Sequence, residues 1–328
     1  MKAQVLITTV PFGQKDRAPI EALERAGLSY EINPYGRRLT EAELAGLVGD
    51  VEWMVAGTEP IGELVFAAAP NLKLVSRVGI GLDNVDLLAA RRRGIAVAYT
   101  PDGPSPAVAE LTIGLMVSLL RGIHHANAGM HQGTWGRIMG RRLAEVTVGV
   151  VGVGRIGSRV LKLVTPFGGR VLAHDVEPRD LPAGVEAVDF DTLCRESDVI
   201  SIHVPLTAAT RGMFSADVLA RLKADAVLIN TARGGIVDEA ALATALRGGR
   251  LGGAAVDVFS VEPYAGELIT INNCLLTSHM GSMSEDCRFA MEYDAVDAVV
   301  RFARGEVVPQ MVPESEYLLR EMDSGGRS

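Results

Sequence analysis

A chain of 328 residues is longer than one ordinary domain and suits two, at about 100–200 residues each. Its 32 Lys and Arg against 40 Asp and Glu leave a net charge of −8, which argues against nucleic-acid binding, since affinity for phosphate backbones comes mainly from cationic side chains. With 48% hydrophobic and 22% charged residues the chain has ample core material, yet no apolar run reaches the roughly 18 residues of a membrane span.

Met1-Lys2-Ala3-Gln4-Val5-Leu6-Ile7 reads as a strand, not a signal peptide, which needs a longer apolar stretch. Short β-branched runs between turn residues predict strands at Gln4–Thr9, Ser29–Ile32, Trp53–Ala56, Leu74–Val78 and Ala96–Tyr99. Helical patterns lie between them at Asp16–Ala26, Thr40–Leu47, Gly62–Ala69 and Val85–Arg93, with stops such as Gly27 and Pro70. The run Thr100-Pro101-Asp102-Gly103-Pro104-Ser105-Pro106 is the best linker in the chain. A long helix over Ala107–Gly122 follows. Six more strands are then predicted, at Thr147–Val151, Arg170–His174, Val199–His203, Ala226–Asn230, Gly253–Asp257 and Cys274–Thr277. Strands alternating with helices predict an α/β protein with parallel sheets, and six in series suit a doubly wound dinucleotide-binding domain. A final helix over Ser284–Gly305 precedes a Pro-containing tail, with the last residues, Asp323 to Ser328, expected to fray.

Cys194, Cys274 and Cys287 are odd in number and form no CxxC pair. Neither a disulfide framework nor a thiolate zinc site is expected, and a cytoplasmic location fits. The 36 Gly exceed the usual share of roughly 7%, which points to tight turns or backbone held close to a ligand.

One such cluster is explicit. Thr147-Val148-Gly149-Val150-Val151 runs into Gly152-Val153-Gly154-Arg155-Ile156-Gly157, with a helix after it, a strand at Arg170–His174, and then Asp175. This is GxGxxG in its full strand-turn-helix context, with an acidic residue about 20 positions on. Gly152 permits the turn, Gly154 admits a pyrophosphate, and Gly157 lets helix and strand pack. The N–H groups opening the helix, from Arg155 and Ile156 on, face the anion. Arg155 adds a cation. Asp175 accepts from ribose hydroxyls and repels a 2′-phosphate, which favours NAD over NADP, although nearby Arg179 softens that preference.

Further signals follow successive strand ends, where ligands of such sheets bind. Arg233 stands in Thr231-Ala232-Arg233-Gly234-Gly235, Glu262 in Val258-Phe259-Ser260-Val261-Glu262-Pro263, and His279 in Thr277-Ser278-His279-Met280-Gly281. Reduction of a 2-oxo acid needs a guanidinium to hold the carboxylate and polarise the carbonyl, and an imidazole to protonate the alkoxide. It also needs a carboxylate to fix the imidazole tautomer and favour its protonated form. Arg233, His279 and Glu262 fill those roles.

The order of SRVGIGLDNVD (76–86), AVAELTIGLM (107–116), GVVGVGRIG (149–157), HVPLT (203–207), NTARGGIVDE (230–239), AAVDVFSVEP (254–263) and LTSHMGS (276–282) resembles the D-isomer-specific 2-hydroxyacid dehydrogenases, phosphoglycerate-dehydrogenase-like members above all. The resemblance covers almost the whole chain. It implies two Rossmann-like doubly wound domains. One is a discontinuous, flavodoxin-like substrate domain of residues 1–100 plus 285–328; the other is an NAD-binding domain of residues 101–284. It implies catalytic Arg233, Glu262 and His279, cofactor contacts from Pro205, Thr231 and Asp257, and substrate-carboxylate amides at Val78-Gly79-Ile80. It places Thr58 at the distal part of the substrate and implies closure between the domains and a homodimer. Pro104, Ser278 and a short Glu262–His279 stretch depart from the family pattern and leave the substrate open.

Other residues carry plainer readings. His203 is expected to pack beneath the nicotinamide. His124 and His131 share a helical face with His125 beside them, but no partners stand at ligand spacing, so a solvated face is expected and no metal. Arg91-Arg92-Arg93 suits a helix C-terminus. Arg37-Arg38 is either surface charge or a second anion contact. The expected function is transfer of a hydride between NAD and a small anionic D-2-hydroxy acid. The alternatives are a hydroxyalkylphosphonate dehydrogenase, in which Arg37 or Arg38 reaches the pocket, and a non-enzymatic NAD(H)-sensing partner protein.

Overall fold

The computed structural model describes residues 3–325, with side chains up to Met322; part of the stretch expected to fray, 323–328, therefore lies outside the described residues. The chain divides into two compact units, residues 1–104 with 282–328, and residues 105–281.

The first unit runs β1 (Val5–Ile7), α1 (Ala18–Arg25), β2 (Tyr30–Ile32), α2 (Glu41–Leu47), β3 (Trp53–Ala56), α3 (Glu63–Ala68), β4 (Leu74–Arg77), α4 (Leu87–Arg92) and β5 (Ala96–Tyr99). The strands form one parallel sheet in the order β2-β1-β3-β4-β5. Both faces are covered, which is why its strands are nearly continuous apolar runs. Val5, Ile7, Trp53 and Val55 enter one core cluster, and Leu6, Met54 and Ala56 the other, the period-2 alternation of a strand. Residues 282–328 return to this unit. Met291, Ala295, Ala298 and Val299 of the long returning helix over residues 285–303 lie in the first cluster, and the Ser76 hydroxyl donates to the Ala295 carbonyl at 2.8 Å.

The second unit carries α5 (Ser105–Arg121), α6 (Ile123–His131), β6 (Val148–Val151), α7 (Arg155–Val164), β7 (Val171–His174), β8 (Val185–Ala187), α8 (Phe190–Glu196), β9 (Val199–Ile202), α9 (Ala216–Leu219), β10 (Val227–Asn230), α10 (Glu239–Arg247), β11 (Gly253–Val256) and β12 (Cys274–Leu276). Its parallel sheet is ordered β12-β11-β10-β9-β6-β7-β8. Order reverses between β6 and β9, so the glycine turn after β6 lies at the topological switch point. No single helix among the described residues is long and apolar enough to cross a membrane.

Two elements escaped the sequence. The seventh strand, β8, is three residues at the sheet edge with half-exposed and exposed side chains, too short to show a period. After α11 (Glu285–Ala303), the expected tail forms α12 (Glu314–Gly325). Tyr317 fixes it, buried with its ring 3.8 Å from the Arg91 guanidinium, and Arg91 also pairs with Glu314 at 2.6 Å. A tertiary contact thus stabilises a segment whose own pattern reads as loop.

Candidate active site

The glycine turn has the shape its residue types demand. Gly152 has φ +91, and a Cβ there would lie 2.6 Å from the His203 carbonyl oxygen; at Gly157 a Cβ would overlap the Gly152 carbonyl. Gly154, at the N-cap of α7, faces open space, and a Cβ added there would meet nothing within 4 Å. Arg155 and Ile156 open α7, Arg155 exposed and Ile156 packed on the core. Asp175 closes the turn: its Oδ2 accepts from the Val153 N–H at 2.7 Å and its Oδ1 from the Glu177 N–H at 3.0 Å. Partial burial pushes this carboxyl up. The Glu177 and Val153 N–H groups and the Arg179 guanidinium outweigh that, and hold it below the usual range. A helix N-terminus behind an open glycine, with an acid held below its usual range at the turn, fits a dinucleotide.

The ends of β10, β11 and β12, three neighbours in the sheet, carry Arg233, Glu262 and His279. Asn230 shapes the first loop, its amide donating to the Arg233 carbonyl at 2.9 Å and its Oδ1 accepting from the Ala232 N–H at 3.1 Å. Gly234 presses against the Phe259 backbone, where no side chain fits. Glu262 accepts from the Phe259 N–H at 3.0 Å and lies 2.9 and 3.1 Å, through its two oxygens, from His279 Nδ1. Among the described residues nothing bonds His279 Nε2, and the imidazole keeps 36% exposure.

Asp257 does a task that its expected cofactor role did not anticipate. It is 1% exposed. Its Oδ1 accepts from the Thr277 hydroxyl at 2.5 Å and the Met280 N–H at 2.9 Å, its Oδ2 from the Gly281 N–H at 2.9 Å, and its carbonyl from the His279 N–H at 2.8 Å. These bonds hold His279 at φ +51, the sole positive φ among described non-glycine residues. Thr231 is buried with its hydroxyl 3.0 Å from that of Thr112, and the Pro205 carbonyl accepts from Thr210 at 2.6 Å. His203 keeps some exposure as a residue, but its Nδ1 is sealed without a partner and its Nε2 meets Ser201 Oγ at 2.8 Å. Burial pushes its pKa down to about 3.

In the first unit two of the three amides expected to bind the carboxylate are bonded within the fold. The Val78 N–H donates to the Ala56 carbonyl at 2.8 Å and the Gly79 N–H to Thr100 Oγ1 at 2.7 Å. Both are spent on the fold. Among the described residues no acceptor reaches the N–H groups of Ile80 and Gly81, so the available donors lie one step further on. Gly79 (φ +134) must be glycine because the buried Arg77 guanidinium fills the space of a side chain. Thr58 is exposed at the end of β3. Arg37 does not remain available for an anion: it is exposed and bidentate to Glu43 at 2.6 and 3.0 Å. This removes one support of the phosphonate reading. The His124 and His125 rings lie 3.9 Å apart, tilted by 39°, and no described group of His, Cys, Asp and Glu is arranged for a metal.

A doubly wound sheet with a dinucleotide cradle at its switch point and a paired histidine at a nearby strand end defines a nicotinamide-dependent oxidoreductase. Residues 113–281 match the family described as D-isomer specific 2-hydroxyacid dehydrogenase, NAD binding domain. The chain is 35% identical over 279 residues to a hydroxypyruvate reductase of Thermotoga maritima, covering 83% of this chain and 91% of that protein. It is 38% identical over 283 residues to a D-3-phosphoglycerate dehydrogenase of Methanocaldococcus jannaschii, covering 84% of this chain but only 54% of that longer protein. A crystal structure of D-lactate dehydrogenase from Aquifex aeolicus with NAD and lactic acid superposes with a TM-score of 0.83 at 28% identity, over 94% of this chain and 98% of that one. The chain belongs to the D-isomer-specific 2-hydroxyacid dehydrogenase family, whose members act on the CH–OH group of 2-hydroxy acids.

Proposed function

We propose that this protein interconverts a small D-2-hydroxy acid and its 2-oxo acid, with NAD as cofactor. The bound nicotinamide supplies or accepts the hydride at C4. Arg233 holds the substrate carboxylate and polarises the carbonyl, a task suited to its rigid fork of donors. His279 Nε2 gives its proton to the oxygen in reduction and takes it in oxidation, while Glu262 holds Nδ1–H and stabilises the imidazolium. The Ile80 and Gly81 amides offer a second carboxylate contact. Asp175, ionised beside the ribose position, favours NAD over NADP.

The observation that carries this reading is the His279–Glu262 pair, at 2.9 Å, with Nε2 left available at a strand end. Replacing His279 with Asn is expected to lower kcat by about 10²–10⁴ while NADH affinity, followed by fluorescence titration, stays near wild type. Wild-type turnover by that variant overturns the assignment.

The same reading extends to a cytoplasmic homodimer. Its support is the exposed stretch after α6, where Trp135 is 80% and Met139 97% exposed beside Met130 and Ile138. Apolar surface of that extent suits burial against a second copy. The buried free thiols Cys194, Cys274 and Cys287 suit a reducing compartment.

A further inference from the structure

The first unit holds a cleft of about 400 Å³ whose walls all belong to that unit. A volume of this size suits a small molecule. One wall is a parallel bridge between the loop entering α3 and the loop entering α4. The Ile61 N–H donates to the Asn84 carbonyl at 2.8 Å, and the Asp86 N–H to the Ile61 carbonyl at 2.9 Å. The Asn84 amide ties the same loops, donating to the Gly57 and Glu59 carbonyls at 3.2 and 2.8 Å. Its Oδ1 is buried with no donor among the described residues. Ile61, Val85 and Leu87, all buried, give this wall apolar material. Two opposite charges stand at the cleft, Glu41 from the first turn of α2 and Arg320 from α12. A Cβ on Gly62 would lie 2.6 Å from Glu41 Oε1, so the glycine leaves room for that carboxylate against the loop. Among the described residues no donor bonds the Glu41 carboxylate and no acceptor bonds the Arg320 guanidinium. They line one cleft, yet they do not pair with each other.

We propose that this cleft is a second ligand site, one that takes a free α-amino acid with a small aliphatic side chain. The charges select the class. Asp83 and Asp86 join Glu41 in the lining, so three carboxylates stand against one guanidinium and favour a ligand that carries positive charge. Asp86 is partly spent, because its Oδ1 caps α4 by accepting from the Ala89 N–H at 2.9 Å. A diamine answers the acids but meets like charge at Arg320. A simple carboxylate answers Arg320 but meets like charge at Glu41. A zwitterion answers both. Its carboxylate accepts from the guanidinium fork, the geometry to which Arg is best suited. Its ammonium has three N–H donors, enough for Glu41 and for the orphaned Asn84 Oδ1. The Ile61, Val85 and Leu87 wall then takes an aliphatic side chain. None of the residues expected to hold substrate or cofactor lines this cleft, so the site stands apart from the 2-oxo acid reading and its test needs no turnover.

The test is isothermal titration of the full-length protein with L-valine and two fragments of it: isobutylamine, which lacks the carboxylate, and isovalerate, which lacks the amine. L-Valine is expected to bind about tenfold or more tighter than either fragment, the scale of one hydrogen bond between charged groups. Arg320→Gln should lower L-valine affinity about tenfold or more and leave isobutylamine unmoved. Glu41→Gln should weaken L-valine and isobutylamine alike, with isovalerate no weaker than in wild type. Neither side chain has a bond to lose, so both variants should melt with the wild type; if one does not fold, the other decides. Absence of L-valine binding at about 10 mM, well above the Kd of a weak site, overturns the proposal. Fragments that bind as tightly as L-valine overturn it too, since one charge would then suffice. So does L-valine binding that the substitutions leave unmoved, because that ligand sits elsewhere.

Discussion

Substituting alanine for Gly154 separates cofactor recognition from folding. Its backbone, at φ −78 and ψ −157, suits any residue, and a methyl there meets nothing of the protein within 4 Å. Stability should therefore change by no more than about 0.5 kcal/mol. A pyrophosphate resting on the N–H groups of α7 would meet that methyl. Overpacking by one methyl costs about 1–3 kcal/mol, or roughly 5–150-fold in NADH Kd. Gly157→Ala is the contrast, since its methyl would collide with the Gly152 carbonyl, well inside the 3.4 Å of ordinary contact. It should lower both melting temperature and affinity. Thermal melts and fluorescence titration of the two variants read both quantities. Wild-type NADH affinity in Gly154→Ala would refute the pyrophosphate cradle.

Asp175→Asn keeps an acceptor for the Val153 N–H but removes the charge, so the NADPH to NADH ratio of kcat/KM should rise about tenfold or more; an unmoved ratio counts against its role in cofactor choice. His203 contributes a pH dependence with a definite sign. Its pKa is lowered in the fold, so below the ordinary value of about 6.5 the unfolded chain binds the extra proton and stability falls as pH falls. Between pH 7.5 and 5.5 that contribution is about 1.4 kcal/mol, and it should be missing from urea titrations of His203→Asn. Equal pH slopes in the two proteins would contradict the sealed imidazole. Trp135→Asp should shift the protein from dimer toward monomer in light scattering, and a monomeric wild type removes the dimer reading.

Much of the fold was legible because both sheets are buried on two faces. Strands such as Trp53–Ala56 and Val227–Asn230 are unbroken apolar runs between turn residues, and position alone marks them. The glycine turn was legible too, since backbone geometry at Gly152 and Gly157 admits no other residue. So was the pairing of His279 with Glu262, because each ends a strand of one sheet. What sequence could not supply was the destination of individual hydrogen bonds. Val78 and Gly79 occupy the expected motif, yet Ala56 and Thr100 take their N–H groups. Asp257 reads as a cofactor contact, and nothing local in the sequence shows that it ties down the His279 loop. Glu59 and Arg288 stand near opposite ends of the chain and carry no shared motif. Glu59 bonds Thr8 and Arg288 bonds Thr9 only because β1 and β3 are neighbours and α11 returns to the first sheet. Local pattern determined the elements and the chemistry-bearing residues; long-range packing decided which polar atoms remained available to a ligand.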